Sequence, residues 1–159
     1  MEIIIGPASV ADAGELLTVQ RAAYLSEGRL HESFDLPPLT ETLDSLRSAI
    51  ASGPLLKALH GTRVVGAVRG RVQNRTGHIG RLAVAPDLQG LGVGTRLVVA
   101  IEEVLAPSVD RFELFTGPRS EANVRLYERL GYERIATPFG HEPLIYLAKP
   151  ARPDLGGRW

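Results

Sequence analysis

The chain has 159 residues, with 18 basic and 18 acidic side chains and a formal net charge of zero. One domain is expected at this length, and the charge balance argues against a partner held by bulk electrostatics, whether nucleic acid or a membrane surface. It contains no cysteine, which excludes disulfides, thiolate metal sites and a cysteine nucleophile.

The opening Met1-Glu2-Ile3-Ile4-Ile5 lacks the basic and apolar regions of a secretory leader, and no apolar run approaches the length of a membrane span. A cytoplasmic location is the expectation. Glu2 to Ile5 predicts a short edge strand. Ser9 with Asp12 three residues on predicts a helix start. Ala13, Leu16, Leu17, Gln20 and Tyr24 follow at helical spacing, with Gln20 the one polar break, and Gly28 is expected to end the helix. Arg29 to Pro38 reads as irregular. Thr40 is the expected cap of a second helix carrying Leu43, Leu46, Ala49 and Ile50, stopped by Gly53-Pro54.

Leu55 to His60 and Val64 to Gln73 read as strands joined by Gly61-Thr62, and His78 to Val84 as a third after Asn74-Arg75-Thr76-Gly77. A helix with Leu97, Val98, Ile101, Val104 and Leu105 on one side ends at Pro107. Arg111 to Thr116 predicts a strand, Glu121 to Leu130 a helix closed by Gly131, and Tyr132 to Thr137 and Leu144 to Ala148 the last strands. The order β-α-α-β-β-β-α-β-α-β-β predicts an α/β domain over residues 1–148 built on one mixed sheet, with a right-handed parallel crossover from His78 to Thr116. Residues 149–159 form a tail rich in Pro and Gly, expected to be mobile unless Trp159 docks.

The densest chemical signal lies between the third strand and the next helix: Gln89-Gly90-Leu91-Gly92-Val93-Gly94-Thr95. Glycines let a backbone approach a ligand closely, and the first N–H groups of a helix point outward unpaired. An anion such as a phosphate suits that spot. A P-loop is excluded, because no lysine follows the glycines. A dinucleotide fingerprint needs Gly-x-Gly-x-x-Gly and a following acid. Here the spacing is Gly-x-Gly-x-Gly, and Asp110 precedes the next strand instead of ending it. A turn that only closes a β-α unit also fits the loop taken alone.

Two segments break this tie. Gln89-Gly90-Leu91-Gly92-Val93-Gly94 resembles the [Gln/Arg]-x-x-Gly-x-[Gly/Ala] signature of the GNAT superfamily of N-acetyltransferases. Asn123 to Tyr132 resembles that family's Asn-x-x-x-x-Tyr-x-x-x-Gly-[Phe/Tyr] segment in its residues, Asn123, Tyr127, Gly131 and Tyr132, with three residues in place of four between Asn123 and Tyr127. The order of elements from Glu2 to about Ala148 is similar as well. The resemblance implies a single GNAT-like domain whose two central parallel strands splay apart to admit acetyl-coenzyme A. It implies that Leu82, Ala83 and Val84 offer backbone groups to the thioester and pantetheine, with the Val84 N–H polarising the acetyl carbonyl. Backbone N–H groups from Gln89 to Thr95 would cradle the pyrophosphate, and Asn123 would bond the pantetheine arm.

The implied reaction is acetyl transfer to a primary amine by direct attack in a ternary complex. A lysine-like amine has a pKa near 10.4, so about one in a thousand is neutral at pH 7.4. Tyr127 occupies the family's general-acid position, where it would protonate the leaving thiolate; Val124, Tyr127 and Leu130 also fit a plain core stripe. His78 opens the strand where some relatives carry a catalytic glutamate and arylalkylamine N-acetyltransferases a histidine. Against that stands a histidine idling at a turn edge, and Glu113 is a second candidate base. The acceptor, a small amine or a peptide or protein amine, is expected near Tyr24, Glu27, His31, Glu32 and Asp35, where Glu27 or Asp35 would suit a cation; a solvated loop face is the alternative. His60 and His141 have no evident partner, and no cluster has metal-ligand spacing, so no metal is expected. A homodimer is suggested by the resemblance only. A non-catalytic acetyl-coenzyme A sensor is the rival function, and a nucleotide-dependent oxidoreductase a more distant one.

Overall fold

Alternation in the late strands decides which way the sheet faces. Along Arg111–Thr116 the even-numbered residues Phe112, Leu114 and Thr116 are buried, while Arg111 and Phe115 are exposed and Glu113 is half-buried. In the computed structural model, which describes residues 1–152, this is β5 of a seven-stranded sheet. The other strands are β1 (Ile4–Pro7), β2 (Leu55–His60), β3 (Arg63–Gln73), β4 (Thr76–Val84), β6 (Glu133–Ile135) and β7 (Ile145–Pro150). Their order is β1-β2-β3-β4-β5-β7-β6, and β4–β5 is the parallel pair. The expected mixed sheet and central parallel crossover are therefore present.

Helices cover both faces. α1 (Ala13–Leu30) and α3 (Leu43–Ser52) bury Ala13, Leu16, Leu17 and Leu46 against Leu55 and Val64. α4 (Val93–Leu105) and α5 (Glu121–Arg129) bury Leu97, Val98, Ile101, Val124 and Tyr127 on the other face, against Val68, Phe112, Leu114 and Leu147. Gly70 lets α4 lie flat on β3: a Cβ there would sit 2.8 Å from Leu105 Cδ1 and 3.0 Å from Ile101 Cγ1. No helix among the described residues is long and apolar enough to cross a membrane.

Several boundaries differ from the sequence expectations. Gly28 does not end α1, which continues to Leu30. Its missing side chain serves packing, because a Cβ would meet Leu39 Cδ1 and the Ser33 carbonyl oxygen, each at 3.0 Å. The stretch expected to be irregular holds a one-turn helix, α2 (Pro37–Thr40), started by its prolines. Thr40 falls inside that turn, so Thr42 caps α3, accepting the Ser45 N–H at 3.1 Å. Ser9 and Asp12 do form the reciprocal cap, but on a single 3₁₀ turn (Val10–Asp12) before α1. The first strand begins at Ile4, and β6 covers only Glu133–Ile135. β7 runs on to Pro150, so Lys149 and Pro150 lie in the sheet. Pro153 to Trp159, including the docking expected of Trp159, lie outside the described residues.

The sheet splits at its centre. β4 and β5 pair at Thr76↔Arg111, Gly77↔Phe112 and His78↔Glu113, and nowhere further along. β4 stays with β3 while β5 stays with β7 over six residue pairs. A register shift between Ala67 and Arg69 sets two residues of β4, Arg81 and Leu82, opposite Val68, and Arg81 takes a φ of +52°. Such a bulge sharpens local twist and bends β4 away from its parallel neighbour.

Candidate active site

The gap between the diverging strands is lined first by backbone. Ala85 N donates to the Val65 carbonyl oxygen at 2.8 Å, and Gly66 is the partner of Val84 in register. In an antiparallel ladder this alternation turns the Val84 peptide groups away from β3 and into the gap. By the same alternation Ala83, opposite Ala67, is turned toward β3. Of the three residues expected to offer peptide groups, Ala83 therefore lines the hollow without presenting its own. The Val84 carbonyl accepts from Gln89 Nε2 at 3.1 Å, which ties the loop to the strand end.

The glycine loop itself is left-handed at two points, with φ of +79° at Gly90 and +86° at Gly92, and a Cβ at either would meet nothing within 4 Å. The open space at both positions means backbone conformation is the reason for glycine there. Gly92 caps α4, and the first turn closes with Arg96 N to the Gly92 carbonyl at 3.1 Å. The N–H groups of Val93, Gly94 and Thr95 thus stand at a helix start without helical acceptors. Leu91 is exposed, and only its backbone belongs to the loop.

Three hollows run through the split. The first, about 470 Å³, extends from the glycine loop past Leu82, Ala83 and Val84 to Tyr24 and Glu27 of α1 and Asn123 and Arg129 of α5. The second, about 600 Å³, shares Tyr24, Glu27, Leu82 and Asn123 with the first and adds His31, Arg81, Phe115 and Tyr127. The third, about 490 Å³, shares Ile79, Gly80, Arg81 and Phe115 with the second and holds His78, Glu113 and Tyr146. Shared lining residues link the three hollows in series, from the N-terminus of α4 toward the far end of the sheet.

Tyr127 lines the second hollow. Its ring is buried and packs edge-on to Tyr132 with centroids 6.1 Å apart, yet among the described residues no hydrogen bond engages its hydroxyl. Burial pushes the phenol well above its usual range, with Tyr24 and Glu27 adding to the shift, so it carries its proton at neutral pH. Tyr24 is pushed up to about 12, by burial first. Asn123 Nδ2 donates to Thr116 Oγ1 at 3.2 Å and approaches Glu27 Oε1 at 3.4 Å.

Two residues expected to meet the acceptor are already committed. The Glu27 carboxylate accepts from Ser120 Oγ. His31 Nδ1 lies 3.0 Å from the Glu27 carbonyl oxygen, and its Nε2 accepts the Arg119 N–H at 3.1 Å. Both nitrogens of the neutral ring are used, and α1 is thereby latched to the β5–α5 loop. Glu32 and Asp35 are exposed and line none of these hollows.

His78 sits in the third hollow, across from Arg71 on β3 and Glu113 on β5. The structure sets it in a hollow adjoining that of Tyr127, not in the same one. Burial lowers its pKa below the ordinary 6.5, and the Arg71 guanidinium lowers it further against the pull of Glu113. Glu113 is paired with Arg111 at 3.1 Å. His141, without a partner in the sequence reading, lies 3.2 Å from the Tyr146 hydroxyl through Nδ1.

Sequence reasoning missed two lining residues, Arg129 and Arg81, and the supporting role of Gln20 behind them. Arg129 reaches the first hollow from the helix face of Asn123 and Leu126, and that spacing could have shown it. Gln20, noticed only as a polar break, donates to Glu41 at 3.0 Å and to the Pro38 carbonyl at 2.9 Å, and accepts from Arg69. Arg81, shared by two hollows, gave no local signal at all.

The family model described as the acetyltransferase (GNAT) family matches residues 18–132, which include the glycine loop, Asn123 and Tyr127. The chain belongs to this family. Its mixed sheet is the GNAT fold. Among solved structures, PaiA N-acetyltransferase from Thermoplasma acidophilum, in complex with coenzyme A, superposes with a TM-score of 0.82 at 16% identity, covering 94% of this chain and 99% of that one. The ribosomal-protein-S18-alanine N-acetyltransferase of Escherichia coli gives a TM-score of 0.76 at 18% identity over 94% of each chain. A curated relative, mycothiol acetyltransferase of Propionibacterium freudenreichii subsp. shermanii, is 36% identical over 83 residues. That stretch is 52% of this chain and 25% of the relative, so the chain matches a quarter of that protein's length.

Proposed function

We propose that this GNAT chain moves an acetyl group from acetyl-coenzyme A to an amine by direct attack within a ternary complex. The observation that carries the reading is the junction of the first two hollows. There Leu82 and Asn123 line both hollows, with the gap-facing Val84 in the first and Tyr127, its hydroxyl unengaged, in the second.

The fit of coenzyme A to these residues rests on the first hollow. The left-handed glycines and the free N–H groups of Val93 to Thr95 suit a pyrophosphate, with Arg129 within the same hollow as a counter-charge. The gap-facing groups of β4 suit a pantetheine amide as an added strand. Leu82, Val84 and Asn123 would hold that arm.

Each proton has an owner. The amine nitrogen bonds to the acetyl carbonyl carbon as the carbon–sulfur bond breaks. The Val84 N–H stabilises the carbonyl oxygen, a role worth about 10²–10³ in rate for one such donor. Tyr127 gives its proton to the departing sulfur. Its raised pKa does not disqualify it, because the same burial raises the thiol it serves. The proton leaving the amine passes to His78, directly or through water; its lowered pKa keeps it a free base at neutral pH. Bringing a lysine-like amine to its neutral form costs roughly 4 kcal/mol at pH 7.4, which sets the scale of the base's task.

Thiol release from acetyl-coenzyme A, screened over small amines, amino acids and peptide N-termini, tests the reading. Acceptor-dependent release is expected. Calorimetric binding of acetyl-coenzyme A with no release from any amine would make the chain a binding module instead.

A further inference from the structure

The third hollow carries an unbalanced charge. Its lining includes the guanidinium groups of Arg69, Arg71 and Arg81 and the single carboxylate of Glu113. Arg69 is neutralised by Glu41, with which it makes two hydrogen bonds, and Glu113 by Arg111. Among the described residues, Arg71 has only the neutral Gln73 Oε1, at 2.6 Å. Arg81 Nε lies 3.8 Å from Glu41 and, among the same residues, is buried with no hydrogen-bond partner. A buried unpaired donor is costly and rare, and here it belongs to a residue held in a left-handed conformation by the β4 bulge.

Resting on the acetyl-transfer reading, we propose that the acceptor is an anionic amine whose carboxylate is received by Arg81 and Arg71. Guanidinium forks match carboxylates in shape as well as charge. The wall opposite is apolar: Phe115 and Tyr146 pack with ring centroids 5.2 Å apart, and Phe115 is half-exposed to the hollow. An amino acid with an apolar side chain combines the two features. The acids that would suit a cationic acceptor lie elsewhere: Glu27 lines the first two hollows and not this one, and Asp35 lines none of the three. Burial first, and the Arg71 guanidinium second, lower the pKa of His78 in the same hollow.

Matched pairs test this: phenylalanine and leucine against their amides, on the full chain, by thiol release from acetyl-coenzyme A. The amide's amine loses its proton more easily, so intrinsic reactivity favours the amide and any preference for the acid comes from the protein. The acids are expected to show kcat/KM at least tenfold above the amides. Arg71→Gln and Arg81→Gln are each expected to cut that preference at least threefold through KM, and Arg81→Lys to keep part of it. Equal use of acid and amide, or a preference the variants leave intact, overturns the proposal while acetyl transfer stands.

Calorimetry with N-acetylphenylalanine and its amide on the coenzyme A-bound protein reads the site without turnover. Tighter binding of the acid, lost in Arg71→Gln, supports the anion site even if no amine is acetylated, in which case the transfer reading falls alone. No preference in both measurements ends the proposal. Arg71 is exposed, so its variant stays folded and decides the matter if Arg81→Gln does not.

Discussion

His78 and Glu113 face each other on the last rung of the β4–β5 pairing, and one residue beyond them the sheet is open. The proposed base therefore sits where the gap begins, held in place by strand pairing and not by a loop. Glu113 faces it with a carboxylate already paired to Arg111.

That placement sets a pH dependence. The pKa of His78 lies below 6.5, so the active free base forms as pH rises through a value on the acid side of 6.5. Measured kcat/KM, corrected for the neutral fraction of the acceptor amine, is expected to climb there and level off by pH 7. His78→Gln should remove this acid limb and lower the plateau by about 10²-fold. A variant that keeps the wild-type profile would take the base role from His78.

Tyr127→Phe should lower kcat by about 10²-fold while leaving the KM for acetyl-coenzyme A within a few-fold of the wild type. Because the hydroxyl makes no hydrogen bond among the described residues, thermal melting should barely change. The phenol pKa is raised, so no alkaline loss of activity from Tyr127 is expected up to about pH 10. Unchanged turnover would leave Tyr127 a core residue.

Gly92→Ala probes the glycine loop proposed to hold the pyrophosphate. The added methyl has open space, but the φ of +86° costs an L-residue roughly 1–2 kcal/mol. If the loop relaxes to relieve this, the KM for acetyl-coenzyme A should rise about tenfold. Turnover at saturating donor should stay near wild type, which separates this variant from Tyr127→Phe.

Glu41 ties α1, α3 and β3 together through Gln20, Ser45 and Arg69. Burial raises its pKa, but the bonds to Arg69 and Gln20 outweigh that and bring it from 4.5 to about 2. A carboxyl whose pKa is depressed on folding contributes stability above its unfolded pKa and loses it as pH falls through the folded one. Urea melts should therefore show wild-type stability falling between about pH 4.5 and 2. Glu41→Gln should cost about 3 kcal/mol at pH 7 and show a shallower acid decline.

Gly117 lies against the imidazole of His31, where a Cβ would come within 2.5 Å of the ring. Gly117→Ala should break the latch between α1 and the β5–α5 loop and destabilise the fold by about 1–3 kcal/mol. Equilibrium unfolding checks the cost. Donor affinity should weaken with it, because Ser120 and Asn123 share the Glu27 carboxylate.

The sequence by itself determined what depends on neighbours in the chain. Strand-like runs bounded by turn residues marked β2 and β5 to the residue, and helical spacing marked α4. The glycines of the anion loop and the Asn123-to-Tyr132 segment were legible because left-handed turns and helix faces follow from local geometry. Tertiary structure alone decided the acceptor side. Ser120 reaches Glu27 across 93 positions of sequence, and Asp12 pairs with Lys57 across 45. Arg81 faces the hollow because a register shift with β3 re-aims it, and no window of β4 taken alone contains that information. A side chain's charge is written in the sequence; whether it is spent on a neighbour or left for a ligand is settled only when distant strands and helices close around it.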